Sequence, residues 1–164
     1  MAEIGAARLR TLAAEIRREL EALRRTVAEL EWVEAQGDSE SAVRIRIYAS
    51  AAMLDTFYTG IERVLERVAR VFGNLPDGPG WHRELLASAA LDVPLARPPV
   101  LREQTVVVLA RYLAFRHRFR NLYLFDLEPE QMEPLIAGAA DALAALEQDL
   151  QEFAEVLDAL AAGG

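Results

Sequence analysis

The chain has no cysteine and no lysine among its 164 residues. Without cysteine there are no disulfides, no thiolate metal sites and no cysteine nucleophile. Because all eighteen basic residues are arginine, Schiff-base chemistry, serine–lysine pairs and lysine-containing phosphate loops are excluded as well. Only two histidines are present, and neither lies in a His-Glu-x-x-His or Glu-x-x-His spacing, so the sequence predicts no metal site.

Long apolar runs are also missing. No stretch approaches the roughly 20 residues that a membrane span needs, and the charged, periodic N-terminus differs from a signal peptide. We therefore expect a soluble, cytoplasmic protein with no membrane partner. The net charge of −8 argues against a surface that coats nucleic acid in general, so any phosphate site must be local.

The residues that are abundant favour helices. Ala, Leu, Arg and Glu dominate, and 52% of the chain is hydrophobic, which is typical of a helical protein. The length and the lack of internal repeats predict a single domain over residues 1–164. The apolar spacing predicts an all-α, up-and-down bundle of about five helices. These are two long N-terminal helices over about 2–35 and 39–72, a short middle helix over about 81–91, a helix over about 101–124 and a C-terminal helix from Pro129 to about Leu160.

Several positions in these helices have more than one interpretation. The apolar stripe of the first helix fits either a dimerisation surface or half of a hairpin within one chain. Asp38 or Ser39 can cap the second helix. Gly60 lies inside that helix, where glycine costs about 1 kcal/mol relative to alanine, and this predicts close approach by another backbone. His82, beside Trp81, is either a proton donor or a packing residue.

The stretch from Arg111 to Asp126, RYLAFRHRFRNLYLFD, departs most from an ordinary amphipathic helix. At about 100° per residue its apolar side forms one stripe, which consists of Val108, Tyr112, Phe115, Phe119 and Leu122. Outside that stripe, four arginines, a histidine, an asparagine and a tyrosine precede the first acid. Arginines at fixed spacing suit bidentate binding of phosphate, and a nearby histidine exchanges protons near neutral pH. The alternative is an arginine-rich face that is simply solvated.

The same stretch resembles the signature of the HEPN superfamily, an arginine followed by a polar residue and, after four to six intervening residues, a histidine. It is most similar to the HepT-type toxin form, in which a tyrosine follows two positions after the histidine. In this register Arg116 is the motif arginine, His117 the polar residue, and Tyr123 the motif tyrosine. Asn121 stands where the family has histidine. A second register pairs Arg111 with His117 but loses the tyrosine.

Two further segments resemble this family, YTGIERVLERVARVF at residues 58–72 and GPGWHRELL at residues 78–86. The resemblance therefore covers most of residues 10–155. It implies a HEPN-like bundle that forms a homodimer, with two motif helices facing each other across a cleft. It also implies a toxin of a prokaryotic toxin–antitoxin pair, an endoribonuclease that cuts RNA in that cleft without a metal ion or other cofactor.

The resemblance assigns roles within the motif. Arg116 is expected to clamp the phosphate and stabilise transition-state charge, with Arg111 and Arg120 supporting phosphate binding. An amide cannot transfer a proton at neutral pH, so Asn121 is expected to hold a phosphate oxygen or orient the His117 ring. His117 is then the proton-transfer candidate in the motif.

A partner is implied as well. HepT-like toxins are usually encoded beside a minimal nucleotidyltransferase antitoxin that transfers AMP to the motif tyrosine, here Tyr123. A bulky anion beside Arg116 and Arg120 would block phosphate binding. Otherwise Tyr123 is an interfacial aromatic residue.

Two other functions compete with the toxin ribonuclease. Because Asn121 replaces the motif histidine, the chain fits a HEPN domain that has lost catalysis and serves as a nucleotide- or partner-binding module. Composition alone also fits a purely structural helical adaptor.

Overall fold

The computed structural model describes residues 4–37, 39–73 and 75–163. These residues form an all-α bundle without a β-strand, which confirms the predicted fold class. The helices are α1 (Ala6–Glu34), α2 (Glu40–Phe72), α3 (Trp81–Ser88), α4 (Glu103–Phe119), α5 (Pro129–Ala137) and α6 (Ala139–Gly163), with a short 3-10 helix at Leu124–Asp126. Over the same residues, no helix is both long and apolar enough to cross a membrane.

Helix α1 lies between α2 and α6 and packs against both. Its apolar stripe is buried in the core and consists of Leu12, Ile16, Leu20, Leu23, Val27 and Leu30. The stripe is therefore used within one chain, as the hairpin interpretation predicted. It is not available as a dimerisation surface.

The beginning and middle of α2 follow from local chemistry. Ser39 caps the helix, since its hydroxyl accepts a hydrogen bond from the Ala42 amide at 3.3 Å; Asp38 lies outside the described residues. At Gly60 a Cβ atom would come within 2.7 Å of the Leu23 Cδ2 atom on α1. Gly60 is thus required by a close contact, but the predicted second backbone is wrong, because the nearest atoms belong to side chains of α1.

Helix α4 ends at Phe119, earlier than the predicted end near residue 124. At this end the side-chain amide of Asn121 donates a hydrogen bond from Nδ2 to the backbone carbonyl of His117 at 2.7 Å. Asparagine side chains compete in this way with the backbone hydrogen bonds that would continue a helix. The buried stripe of α4 is rotated relative to the prediction and runs through Thr105, Leu109, Tyr112 and Arg116. Val108 is exposed, and Phe119 and Leu122 are half-buried.

The predicted C-terminal helix is two helices, so the described residues contain six α-helices where about five were expected. The break is at Gly138, a residue of low helix propensity. Just before it, the carbonyl of Leu135 accepts a hydrogen bond from the buried Tyr112 hydroxyl at 2.8 Å. This bond fixes α5 to α4, the helix that carries the motif arginine.

Candidate functional site

The motif arginine lies in a polar seam between α4 and α2. Asp55, Thr59 and Glu62 recur at spacings of four and three on α2, so they share one face. Arg116 is only 7% exposed. Its Nη2 donates to Glu62 Oε1 at 3.1 Å and its Nε to Thr59 Oγ1 at 3.3 Å. A second carboxylate oxygen, Asp55 Oδ1, lies 3.8 Å from the Nε atom of Arg116. The carboxylates of α2 therefore compensate the buried charge of Arg116.

Arg120 lies one helical turn after Arg116 and is far more accessible. Its Nε donates to Asp55 Oδ1 at 3.1 Å, while 52% of the side chain is exposed. One edge of the guanidinium is thus anchored, and the side chain remains open to an anion from solvent. A guanidinium held in this way presents donors that match phosphate oxygens.

His82 of α3 joins the same seam. Its Nδ1 is 2.6 Å from Glu62 Oε2, so one buried carboxylate binds Arg116 through one oxygen and His82 through the other. The imidazole also stacks on the Trp81 ring, with centroids 3.8 Å apart. His82 is therefore a packed residue, as one interpretation predicted, and it is connected to the motif arginine as well. We call the connected side chains the polar seam: Asp55, Thr59, Glu62, His82, Arg116 and Arg120.

A buried phenol lies next to the polar seam. Burial raises the pKa of Tyr58 above its ordinary value, the Glu62 carboxylate raises it further, and the Arg116 guanidinium opposes the change. Tyr58 therefore remains neutral beside the ion pairs. The charged groups of the polar seam therefore lie beside a neutral phenol and not beside a further charge.

The remaining motif residues lie elsewhere. Arg111, His117 and Asn121 are exposed on α4 or just beyond it, and none of them has a hydrogen bond to the polar seam among the described residues. The amide of Asn121 binds the His117 backbone carbonyl and not the His117 ring. Within one chain, the structure brings Arg116 and Arg120 together and leaves His117 apart from them.

Tyr123 follows α4 in extended backbone. It is 71% exposed, and its ring stacks on Phe125 with centroids 5.2 Å apart and an interplanar angle of 7°. Its hydroxyl is therefore on an accessible segment, outside the polar seam.

Three residues of the polar seam were not recognised as candidates from the sequence: Asp55, Thr59 and Glu62. The sequence contained a signal for this contact, because residues spaced four and three apart on α2 can face arginines spaced four apart at the end of α4. Acids three or four residues from an arginine along a helix normally indicate solvated surface, so the contact was not predicted. Over the described ranges, no group of three or more acids and histidines has the geometry of a metal site.

Comparison with known proteins is informative at the family level. A family model described as HepT-like protein matches residues 49–157, roughly two thirds of the chain. The matched range contains every member of the polar seam and the whole motif. No curated protein and no solved structure matches the chain.

Proposed function

The chain belongs to the HepT-like family of the HEPN superfamily, and on that premise we propose that it is a toxin ribonuclease that cuts RNA without a metal ion. The observation that carries the proposal is the pair formed by the motif arginine, Arg116, and the supporting Arg120. Arg116 lies in the last turn of α4, Arg120 follows the helix at its C-cap one turn later, and both are anchored by carboxylates of α2. Preorganised cations are what charge developing on a phosphorus centre requires.

The proposed reaction is transfer of the phosphodiester to the neighbouring ribose 2′-oxygen. The 2′-hydroxyl loses its proton as its oxygen bonds to phosphorus, the bond from phosphorus to the 5′-oxygen breaks, and that oxygen gains a proton. The products are a 2′,3′-cyclic phosphate and a 5′-hydroxyl. Arg120 is the accessible phosphate ligand in this scheme, and the buried, ion-paired Arg116 helps to position it, because both arginines lie beside Asp55 Oδ1.

We also propose that two copies form the working unit. Exposed apolar residues lie in two places, Val107 on the first half of α4 and Tyr123, Leu124 and Phe125 just after the helix. Exposed apolar side chains at both ends of the motif helix suit a contact between two α4 helices, which would bring the exposed His117 and Asn121 of each copy to the shared cleft. Sedimentation of wild type and of Val107→Glu tests this, since a dimer built on α4 would dissociate in the variant.

A nucleotidyltransferase antitoxin that adds AMP to Tyr123 is the proposed regulator. The exposure of Tyr123 supports this, as does its place three residues after Arg120. The intact mass of protein co-expressed with a candidate nucleotidyltransferase should increase by one AMP in wild type. Tyr123→Phe should show no increase, and modification that persists in Tyr123→Phe would refute the assignment.

The ribonuclease proposal is tested by incubating the purified chain with total RNA in EDTA. We expect cleavage to cyclic-phosphate ends, with a loss of roughly 100-fold or more in Arg120→Ala, in the range found when a preorganised charge is removed. Arg18→Ala is the matched control, because Arg18 is an exposed arginine on α1. RNA left intact by wild type would contradict the proposal.

A second function is favoured by one observation. The amide of Asn121, at the motif histidine position, is engaged by the His117 carbonyl and cannot transfer a proton. A catalytically degenerate HEPN domain that binds nucleotides or a partner has this feature. RNA cleavage by Asn121→His, with none by wild type, would decide for the binding module.

A further inference from the structure

The polar seam contains a histidine, the residue type that is missing at the motif position of Asn121. We propose that His82 of α3 exchanges the proton with the RNA substrate, in place of the histidine absent from the motif position. This inference rests on the proposed ribonuclease function. It departs from the signature, which places the proton-transfer residue on the motif helix itself.

The Glu62 carboxylate determines the chemical form of the His82 ring. Since Oε2 is an acceptor 2.6 Å from Nδ1, Nδ1 carries the hydrogen and Nε2 is the nitrogen that accepts or releases a proton. The His82 side chain is 32% exposed, so part of it is accessible from solvent. In the part of the chain that the structure describes, no other hydrogen bond holds this ring. A carboxylate that orients an imidazole is the arrangement by which bases are activated in nucleophilic sites.

Packing holds the ring in place. His82 is the second residue of α3, and Leu85 and Leu86 anchor this helix in the core. The Trp81 ring lies against the imidazole with an interplanar angle of 28°. Both effects restrict the rotation of His82, and a fixed base is more effective than a mobile one.

The same carboxylate connects His82 to the cations. Glu62 binds His82 and Arg116 through its two oxygens, and Asp55 lies between Arg116 and Arg120. His82 and the arginines are thus positioned by Glu62 and Asp55, which lie two turns apart on the same face of α2. His117 is exposed on α4, about 100° around the helix from Arg116, and has no such connection to any residue that the structure describes.

The proposed reaction needs no reactant other than the RNA and water. The lone pair of Nε2 takes the proton of the ribose 2′-hydroxyl while the 2′-oxygen bonds to phosphorus. The bond between phosphorus and the 5′-oxygen breaks, and the leaving oxygen takes a proton from water. The imidazolium then returns its proton to the hydroxide that remains. Glu62 acts as a positioning residue that stabilises the imidazolium.

The decisive variant is His82→Asn, assayed on total RNA in EDTA. The asparagine amide can still donate to Glu62 Oε2 but cannot transfer a proton. We expect a loss of roughly 100-fold or more, the contribution typical of a general base, with an unfolding midpoint close to that of wild type. Arg83→Ala is the control, since Arg83 is the exposed neighbour of His82 on α3, and its cleavage rate should match wild type.

A second measurement separates chemistry from structure. Free imidazole should restore part of the cleavage in His82→Ala, because it can occupy the space left by the ring and accept the proton. A purely structural His82 predicts no rescue and near-normal cleavage in His82→Asn, which would overturn the inference. Loss of cleavage in His117→Ala, with His82→Asn within threefold of wild type, would assign the proton transfer to His117 instead. If wild type leaves RNA intact, the ribonuclease proposal fails and this inference fails with it.

Discussion

Arg116 and Glu62 form a buried ion pair, with 3.1 Å between Nη2 and Oε1. The motif arginine is therefore part of the packing between α4 and α2 as well as part of the candidate site. Two buried charges stabilise each other only when both are present, because each alone would be desolvated without compensation. A variant of Arg116 can therefore lose activity because the protein is less stable, and its free energy of unfolding must be measured together with its activity.

We predict that Arg116→Met lowers the free energy of unfolding by about 3 kcal/mol, the cost of leaving one member of a buried pair alone. The double variant Arg116→Met with Glu62→Met should lose less than the sum of the single losses, because it buries no unpaired charge. Urea unfolding measures all three. Arg120→Met is the control and should lose under about 1 kcal/mol, since this pair is solvent-screened. Additive losses would show that the pair contributes no coupling.

Gly60→Ala should destabilise the contact between α1 and α2. The new Cβ would meet the buried Leu23 Cδ2 at 2.7 Å, and overpacking costs about 1–3 kcal/mol, partly offset by the better helix propensity of alanine. We expect a net loss of about 1 kcal/mol by thermal unfolding. Gly37→Ala, where a Cβ meets nothing within 4 Å, should be close to neutral. The loss of unfolding free energy caused by Leu23→Ala should be smaller in the Gly60→Ala protein than in wild type, because truncation of Leu23 removes the steric conflict. Equal losses in the two proteins would rule out that conflict.

Leu95→Gly should stabilise the protein. Leu95 has φ 64°, in the left-handed region that disfavours side chains, and it is 96% exposed, so no packing is lost. The gain should approach 1 kcal/mol after the added freedom of glycine in the unfolded chain is subtracted. Ala96→Gly is the control, since Ala96 does not have a positive φ, and it should lower the melting temperature. A lower melting temperature in both variants would contradict the prediction.

Stability should fall steeply at high pH. Burial raises the pKa of Tyr112 from 10.0 to about 12, so the folded state holds this proton more tightly than the unfolded chain. The resulting stabilisation is present below pH 10 and is lost as the pH rises through 12. In Tyr112→Phe the decline of the unfolding free energy between pH 10 and 12 should be smaller by about 2 to 3 kcal/mol. Parallel pH profiles for the two proteins would refute the pKa assignment.

Local and periodic features were accessible from the sequence. The 3.6-residue apolar repeat located the long helices, because each must bury one face. Ser39 and Pro129 act on backbone groups within a few residues of themselves, so the starts of α2 and α5 were predictable. The arginine-rich end of α4 was also recognisable as the unusual part of the chain. The position of Asn121 indicated that the family motif is incomplete here.

The tertiary structure alone decided what those arginines contact. Arg116 is buried because α4 is rotated so that Arg116 continues the stripe of Leu109 and Tyr112, and this rotation depends on how α2, α5 and α6 pack around α4. Glu62 of α2 reaches Arg116 across 54 positions of the chain, and His82 of α3 reaches Glu62 across 20. Helical periodicity is a property of neighbouring residues, whereas a contact between distant side chains exists only after the core has brought their helices together.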